Sequence, residues 1–138
     1  LTPLFAWLGA CVLKFLVNSL RAGKLALGLI GYVGLPSNHS DIVSSSSALI
    51  AFKEGLAHPA VGVAVTLAFI VMLDASSLRR QVGKHAQAIN ALVPNSPERP
   101  WLRERMGHTR LEIAAGIAVG IAVATAVHEL LTWLAARP

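Results

Sequence analysis

Three long apolar blocks constrain this chain more than any motif it carries. Residues 1–20 hold a single charge, Lys14, while residues 59–73 and 113–127 hold none. The last block continues as an apolar helical pattern through Leu130, Leu131, Trp133 and Leu134. About twenty apolar residues are needed to cross the hydrocarbon core of a bilayer. The first and last blocks reach that length with their flanks. The middle one reaches it only by taking in Asp74 or the turn before Pro59, a shortfall that buried protein or a thinned bilayer absorbs. Hydrophobic residues fill 54% of the 138 positions and charged residues 14%, where a soluble domain carries about a quarter charged. No predicted helix sets a broad polar face against an apolar one, which counts against a soluble bundle. The expectation is an all-α integral membrane bundle of about four to five helices, some short or re-entrant. It forms one domain over residues 1–138.

The charge balance points the same way. Net charge is +5, and the cations flank apolar segments, which suits anionic lipid headgroups or an anionic substrate. There is no basic surface interleaved with aromatics, so nucleic acid is not an expected partner. The lone cysteine, Cys11, excludes an internal disulfide. The first block lacks a basic start and a small-residue cleavage site, so it is not read as a cleavable signal.

The spacing predicts a first helix from about Pro3 to Leu20, broken by Gly23. Residues 24–35 are apolar, too short to span and rich in glycine (Gly28, Gly31, Gly34), which reads as a re-entrant or loosely helical connector. Pro36 punctuates it, and Ser37 is a good N-cap for a second helix running to about Ala57. The serine run at 44–47 is read as close helix packing, with each hydroxyl bonded to its own helix. His58-Pro59 marks a turn, and Pro59 suits a first helical position. A third helix then runs to about Leu92, oily before Asp74 and basic after it. Residues 94–100 hold three prolines and form a loop. A last helix begins between Gly107 and Arg110 and ends near Ala136. Its Gly116 and Gly120 make a small-xxx-small face, the best candidate contact for a homo-oligomer.

A polar residue inside an apolar segment is costly and invites a functional reading. Lys14 and Arg21 share one face of the first helix, about 10 Å apart along its axis, although snorkelling to the interface accounts for Lys14 equally well. Ser37-Asn38-His39-Ser40 opens a helix whose free backbone N–H groups make an anion site. A histidine there either donates a proton to a bound phosphate ester or serves the cap. His108 and Glu112 are four apart, neighbours if they share a helix. The carboxylate then fixes the imidazole tautomer, as a nucleophilic or basic histidine requires; an ordinary cap would use the same residues. Arg79 and Arg80 suit bidentate phosphate binding or a membrane-surface flank, with Lys84 behind them. Asp74 is their internal counter-ion, at five- and six-residue spacings that make poor α-helical pairs. His39, His58, His85, His108 and His128 show no close ligand spacing, so no metal site is expected. No Walker loop or dinucleotide fingerprint is present, and no cofactor is expected.

Together these segments resemble the type-2 phosphatidic acid phosphatase superfamily, which includes the vanadium haloperoxidases, and most closely its divergent bacterial and plant branch of small membrane proteins. The superfamily's first motif is a lysine, six residues, then Arg-Pro; Lys14 and Arg21 fit, with Ala22 in place of the proline. Its second motif reads Pro-Ser-Gly-His, matched by Pro36-Ser37-Asn38-His39 with one change. Its third ends in a histidine, an aspartate four residues on, and a glycine; His108, Glu112 and Gly116 keep that spacing with glutamate substituted. Leu102 stands where the third motif's arginine is expected. The divergent branch carries a helix resembling residues 74–80, which implies that Arg79 or Arg80 takes its place.

The resemblance implies a metal-independent phosphatase acting on a lipid or polyprenyl phosphate in a bacterial inner or plasma membrane, or a plastid membrane. His108 would attack phosphorus, Glu112 would hold its ring, and His39 would protonate the leaving oxygen. Lys14, Arg21, Ser37, Asn38, Arg79 and Arg80 would hold the charged oxygens, supported by Asp74 and Lys84. The replaced motif residues leave an alternative, a non-catalytic membrane protein that retains a lipid-phosphate pocket. Lys14 and Asp74 within apolar helices leave another, a small transporter subunit or channel.

Overall fold

A computed structural model describes residues 2–23, 35–92 and 100–137; the side chains of Lys14, Val17, Arg21 and Ala22 are outside that description. Helices form where the apolar blocks predict them. They are α1 Thr2–Ala22, α2 Asn38–Glu54, α3 Pro59–Leu73, α4 Arg79–Leu92 and α5 Arg110–Ala135. A π-helical turn, Asp74–Leu78, joins α3 to α4. Among the described residues there is no strand. The expected connector at 24–35 lies outside the described residues except for Leu35, and most of the proline loop, 93–99, lies outside them too.

The continuity through the π turn removes the length difficulty of the middle block. Pro59–Leu92 is one rod of 34 residues. At 1.5 Å per residue it is about 51 Å long, against about 30 Å of hydrocarbon. This rod, α1 and α5 are each long and apolar enough to cross a membrane. Their outward side chains include Phe5, Val63, Phe69 and Leu130, all exposed. So large an apolar surface marks contact with lipid rather than water. The chain is an integral membrane protein with an all-α helical bundle.

The fourth bundle element, α2, is less oily and lies in the middle. It packs most extensively on α5, then on α3 and α1. The helices approach through small side chains, as expected where lipid tails supply no hydrophobic drive. Ala6, Ala10, Ser37, Ser40, Ser44, Ser45, Gly116, Gly120 and Ala124 are all buried. A methyl group added at Gly116 would lie 2.5 Å from the Ser37 carbonyl oxygen and 3.0 Å from Ser40 Cβ. One added at Gly120 would collide with Ser44 and the Asp41 carbonyl. These glycines are therefore spent on the α2–α5 seam inside the chain, which corrects the expectation of an oligomer contact there. The serine run behaves as read from the sequence. Ser44, Ser45, Ser46 and Ser47 donate to the carbonyls of Ser40, Ile42, Ile42 and Val43, so polar side chains line the seam with their donors satisfied.

Gly116 meets residues 37–41 and Gly120 meets residues 41–45, so α2 and α5 run parallel. Their N-termini lie at the same end of the bundle. The rod brings its π turn to that end, where Ala75 accepts a hydrogen bond from His108. Beyond it α4 leaves the bundle and, against expectation, shows a broad polar face. Arg80, Gln81, Lys84, His85 and Gln87 are exposed, whereas Gly83 and Ala86 are buried. Gly83 lies against the Glu104 carbonyl, where a side chain would not fit. Asn90 donates to the Leu102 carbonyl at 2.9 Å and accepts the Leu102 N–H at 3.1 Å. Residues 101–106 are thereby strapped along α4.

Candidate active site

The strap delivers His108 to the start of α5. Thr109 is the N-cap, its hydroxyl accepting the Glu112 N–H at 3.2 Å, while Glu112 Oε2 accepts the Thr109 N–H at 3.0 Å. This is a capping box. The same Oε2 lies 3.0 Å from His108 Nδ1. The sequence suggested two residues on one helix, but His108 precedes the cap and the contact is made across it. Structural cap and histidine holder are here one carboxylate. With Nδ1 engaged, Nε2 is the ring nitrogen available for chemistry.

The π turn fixes the backbone of that histidine on both sides. The His108 N–H donates to the Ala75 carbonyl at 2.9 Å, and Arg80 Nη2 donates to the His108 carbonyl at 3.2 Å. Gly107 makes this approach possible. Its φ is +86°, and a methyl group there would stand 3.1 Å from the Arg80 nitrogen and 3.2 Å from the Ser76 carbonyl oxygen. Glycine alone meets both demands.

The π turn also supplies the geometry for Asp74 as a counter-ion. Five-residue spacing is poor in an α-helix, yet Arg79 Nε donates to Asp74 Oδ2 at 3.2 Å. Hydrogen bonds in this turn run i→i+5, as from the Arg79 N–H to the Asp74 carbonyl, so side chains five apart come over one another. Thus oriented, Arg79 places Nη2 3.3 Å from His39 Nε2. Arginine only donates, so Nε2 is the acceptor in this arrangement.

His39 stands in the first turn of α2, whose cap Ser37 is buried with its hydroxyl accepting from Ser40 N and Ser40 Oγ. The Ser37 N–H donates to the Glu112 carbonyl at 2.9 Å, tying the two helix starts together. The imidazole rings of His39 and His108 come within 6.2 Å, centroid to centroid, tilted by 53°. The site thus assembles His39, His108, Glu112, Arg79 and Asp74, with Arg80 acting on the backbone.

Other predicted residues fall elsewhere or outside the description. Asn38 Nδ2 lies 3.9 Å from Cys11 Sγ on α1, and Ser37 is a buried cap rather than an exposed donor. Lys84 is exposed on α4, a full turn past Arg80. Lys14 and Arg21 lie on α1, with side chains outside the described part. Among the described residues no three of His, Cys, Asp and Glu gather as a metal-binding set. Sequence reasoning missed Asp41, which is fully buried on α2 with neither carboxylate oxygen hydrogen-bonded among the described residues. The available signal was an acid continuing the buried stripe of Ser37, Ser40, Ser44 and Ser45. Beside the site, an apolar groove of about 370 Å³ runs between α2, α3 and α5. It extends from Leu56 to Met72 and is lined by Ala48, Val65, Phe69 and Ile117.

Residues 1–123 match the family described as the Divergent PAP2 family. The chain belongs to that family. Its membership accords with the order of the three motifs, whose histidines the fold brings to one end of the bundle. The chain is similar to the uncharacterized membrane protein YuiD of Bacillus subtilis (strain 168), at 31% identity over 138 residues. That alignment covers 88% of this chain and 87% of the relative. No solved structure matches the chain.

Proposed function

We propose that this membrane protein hydrolyses a lipid-linked phosphate monoester or pyrophosphate through a phosphohistidine on His108. The observation that carries the reading is the convergence of His108, braced by Glu112, with His39 and Arg79 at two neighbouring helix starts. His108 Nε2 attacks phosphorus, and the bond from phosphorus to the leaving oxygen breaks. With Arg79 turned from His39 Nε2 to the phosphoryl oxygens, His39 carries a proton and gives it to that oxygen. Water then attacks the phosphohistidine, neutral His39 takes a proton from the water, and inorganic phosphate leaves as the P–N bond breaks.

The magnitudes assign the larger share to charge stabilisation. A general acid contributes about 10²–10⁴ in rate, whereas enzymatic hydrolysis of phosphate monoesters reaches accelerations of about 10²¹. Arg79, other cations at this end and the N-terminal amides of α2 would supply the remainder by preorganised donors aimed at the phosphoryl oxygens. The apolar groove gives the hydrocarbon part of such a substrate a place beside the site.

Purified protein, reconstituted with a phosphatidic acid or a polyprenyl pyrophosphate, is expected to release phosphate without added metal. His108→Ala is expected to abolish release. Full activity in that variant would sink the mechanism, and lipid-phosphate binding without turnover would make the site a binding pocket only.

A further inference from the structure

Among the described residues, the lysines and arginines near the helix ends divide unequally between the two ends of the bundle. At the end that carries His39 and His108 lie Arg21 in the last turn of α1, Arg79, Arg80 and Lys84 on α4, Arg103 and Arg105 on the strap, and Arg110 at the start of α5. At the opposite end stand Lys53 in the last turn of α2 and Arg137 beyond α5. Such an imbalance sets topology, because Lys and Arg near span ends are retained on the cytoplasmic side while acids count for little.

Cations recruited to a phosphate site are a poor guide to topology, and the structure separates them from the rest. Arg79 is engaged with Asp74 and His39, and Arg80 with the His108 carbonyl. Setting both aside, and Arg21 and Arg103 with them, leaves Lys84, Arg105 and Arg110, all exposed, still against Lys53 and Arg137. Position agrees with exposure. Lys84 lies 25 residues after Pro59 along the 34-residue rod, or about 37 Å, past the roughly 30 Å of hydrocarbon. Among the described residues the opposite end holds only those two cations, Lys53 and Arg137. There the Arg137 guanidinium lies 3.3 Å over the Trp133 ring, an aromatic and cation pairing at home in the headgroup layer.

We infer that the histidine-bearing end of the bundle is its cytoplasmic end, with the exposed cations of α4 and the strap seated against the anionic inner leaflet. Each lysine or arginine near such a surface is attracted to it. Joined to the phosphatase reading, on which this one consequence rests, the substrate is a phosphate displayed on the inner leaflet. The reaction that supplies it is then a cytoplasmic phosphorylation or transfer that leaves a lipid (pyro)phosphate there.

The test uses the full chain expressed in a bacterial inner membrane, with Cys11→Ser as background and single cysteines at Gln87→Cys on α4 or Ala57→Cys in the α2–α3 turn. Each cysteine is first shown to react in detergent, so that absence of label reports sidedness. A membrane-impermeant maleimide is expected to label Ala57→Cys in intact cells and Gln87→Cys only in inverted vesicles. The reverse pattern overturns the inference, as does labelling of both positions from both sides. Alkaline phosphatase fused after Arg137 is expected to be active, and an inactive, stably expressed fusion also counts against it. Neither readout uses the chain's own activity, so a failed phosphatase reading leaves the topology standing, and reversed labels leave the phosphatase reading standing.

Discussion

Glu112 braces His108 from within a helix that His108 does not belong to: Oε2 lies 3.0 Å from His108 Nδ1 and equally 3.0 Å from the Thr109 nitrogen. Glutamate at the third helical position is the residue that reaches back across a cap. This gives a physical reason for glutamate where the superfamily motif has aspartate. One oxygen serves folding and chemistry together, and substitution can separate the two.

Glu112→Gln keeps an amide oxygen for the Thr109 N–H but removes the charge that stabilises a positive imidazole ring. Stability is expected to change by less than about 1 kcal/mol, the scale of a whole cap. The rate of phosphate release is expected to fall by about 10²–10⁴, the range for orienting carboxylates and acid–base groups. Thermal unfolding in detergent and phosphate release read the two quantities separately. An unchanged rate would reduce Glu112 to a cap.

The Asp74–Arg79 pair is open to solvent, with the two side chains 39% and 41% exposed. Exposed pairs stabilise by about 0–1 kcal/mol, so losing this one should barely move unfolding. Its expected effect is on the rate. Arg79→Lys keeps the charge but loses the planar fork that reaches Asp74 and His39 together, and a fall of about 10²–10³ is expected, as for other lost charge-stabilising donors. Asp74→Asn should cost less, and in the double variant the two losses should not add. Simple additivity would mean that Asp74 does not orient Arg79.

The groove between α2, α3 and α5 offers a test of substrate chain length. Ala48 lines it away from the histidines, so Ala48→Phe fills the groove and leaves the site intact. The bilayer is as apolar as the groove, so occupancy adds little affinity; what the groove supplies is placement of the headgroup. The expected result is roughly a tenfold lower kcat/KM for a long-chain lipid phosphate, since small misplacements cost that much or more. A short-chain soluble ester should be unaffected. Equal losses for both substrates would exclude the groove as the chain's place.

How far the sequence could be read varies with the physics of each feature. The spans were legible because bilayer thickness demands long apolar runs, and residues 1–20, 59–73 and 113–127 supply them. His39, His108 and Glu112 were legible through cap chemistry and motif order. Asp74 and Arg79 were legible as a charge match but not as a geometry, because a 3.6-residue period contains no signal for the π turn that brings residues five apart together. Gly116 and Gly120 announced a close contact, but two glycines on a helix do not say whether the partner is α2 or another copy of the chain. Asp41 was overlooked because an acid in the first turns of a helix reads as a partner for the helix dipole.

Asp41 supports the last prediction. It is fully buried, and among the described residues neither carboxylate oxygen has a hydrogen-bond partner. A polar group buried without a partner costs about 1–3 kcal/mol on the scale of protein mutations, and an unpaired charge costs more. Asp41→Ala removes that cost at the expense of a small void. The void is smaller than those left by truncating leucine or phenylalanine, for which the penalties are about 2–5 kcal/mol. The net expectation is a more stable protein, by about 1–2 kcal/mol, seen as an unfolding temperature several degrees higher in detergent. Phosphate release should persist, because His39, His108, Glu112 and Arg79 keep their mutual contacts. A variant that loses both stability and rate would mean that this carboxylate holds a proton or a ligand that the folded bundle depends on.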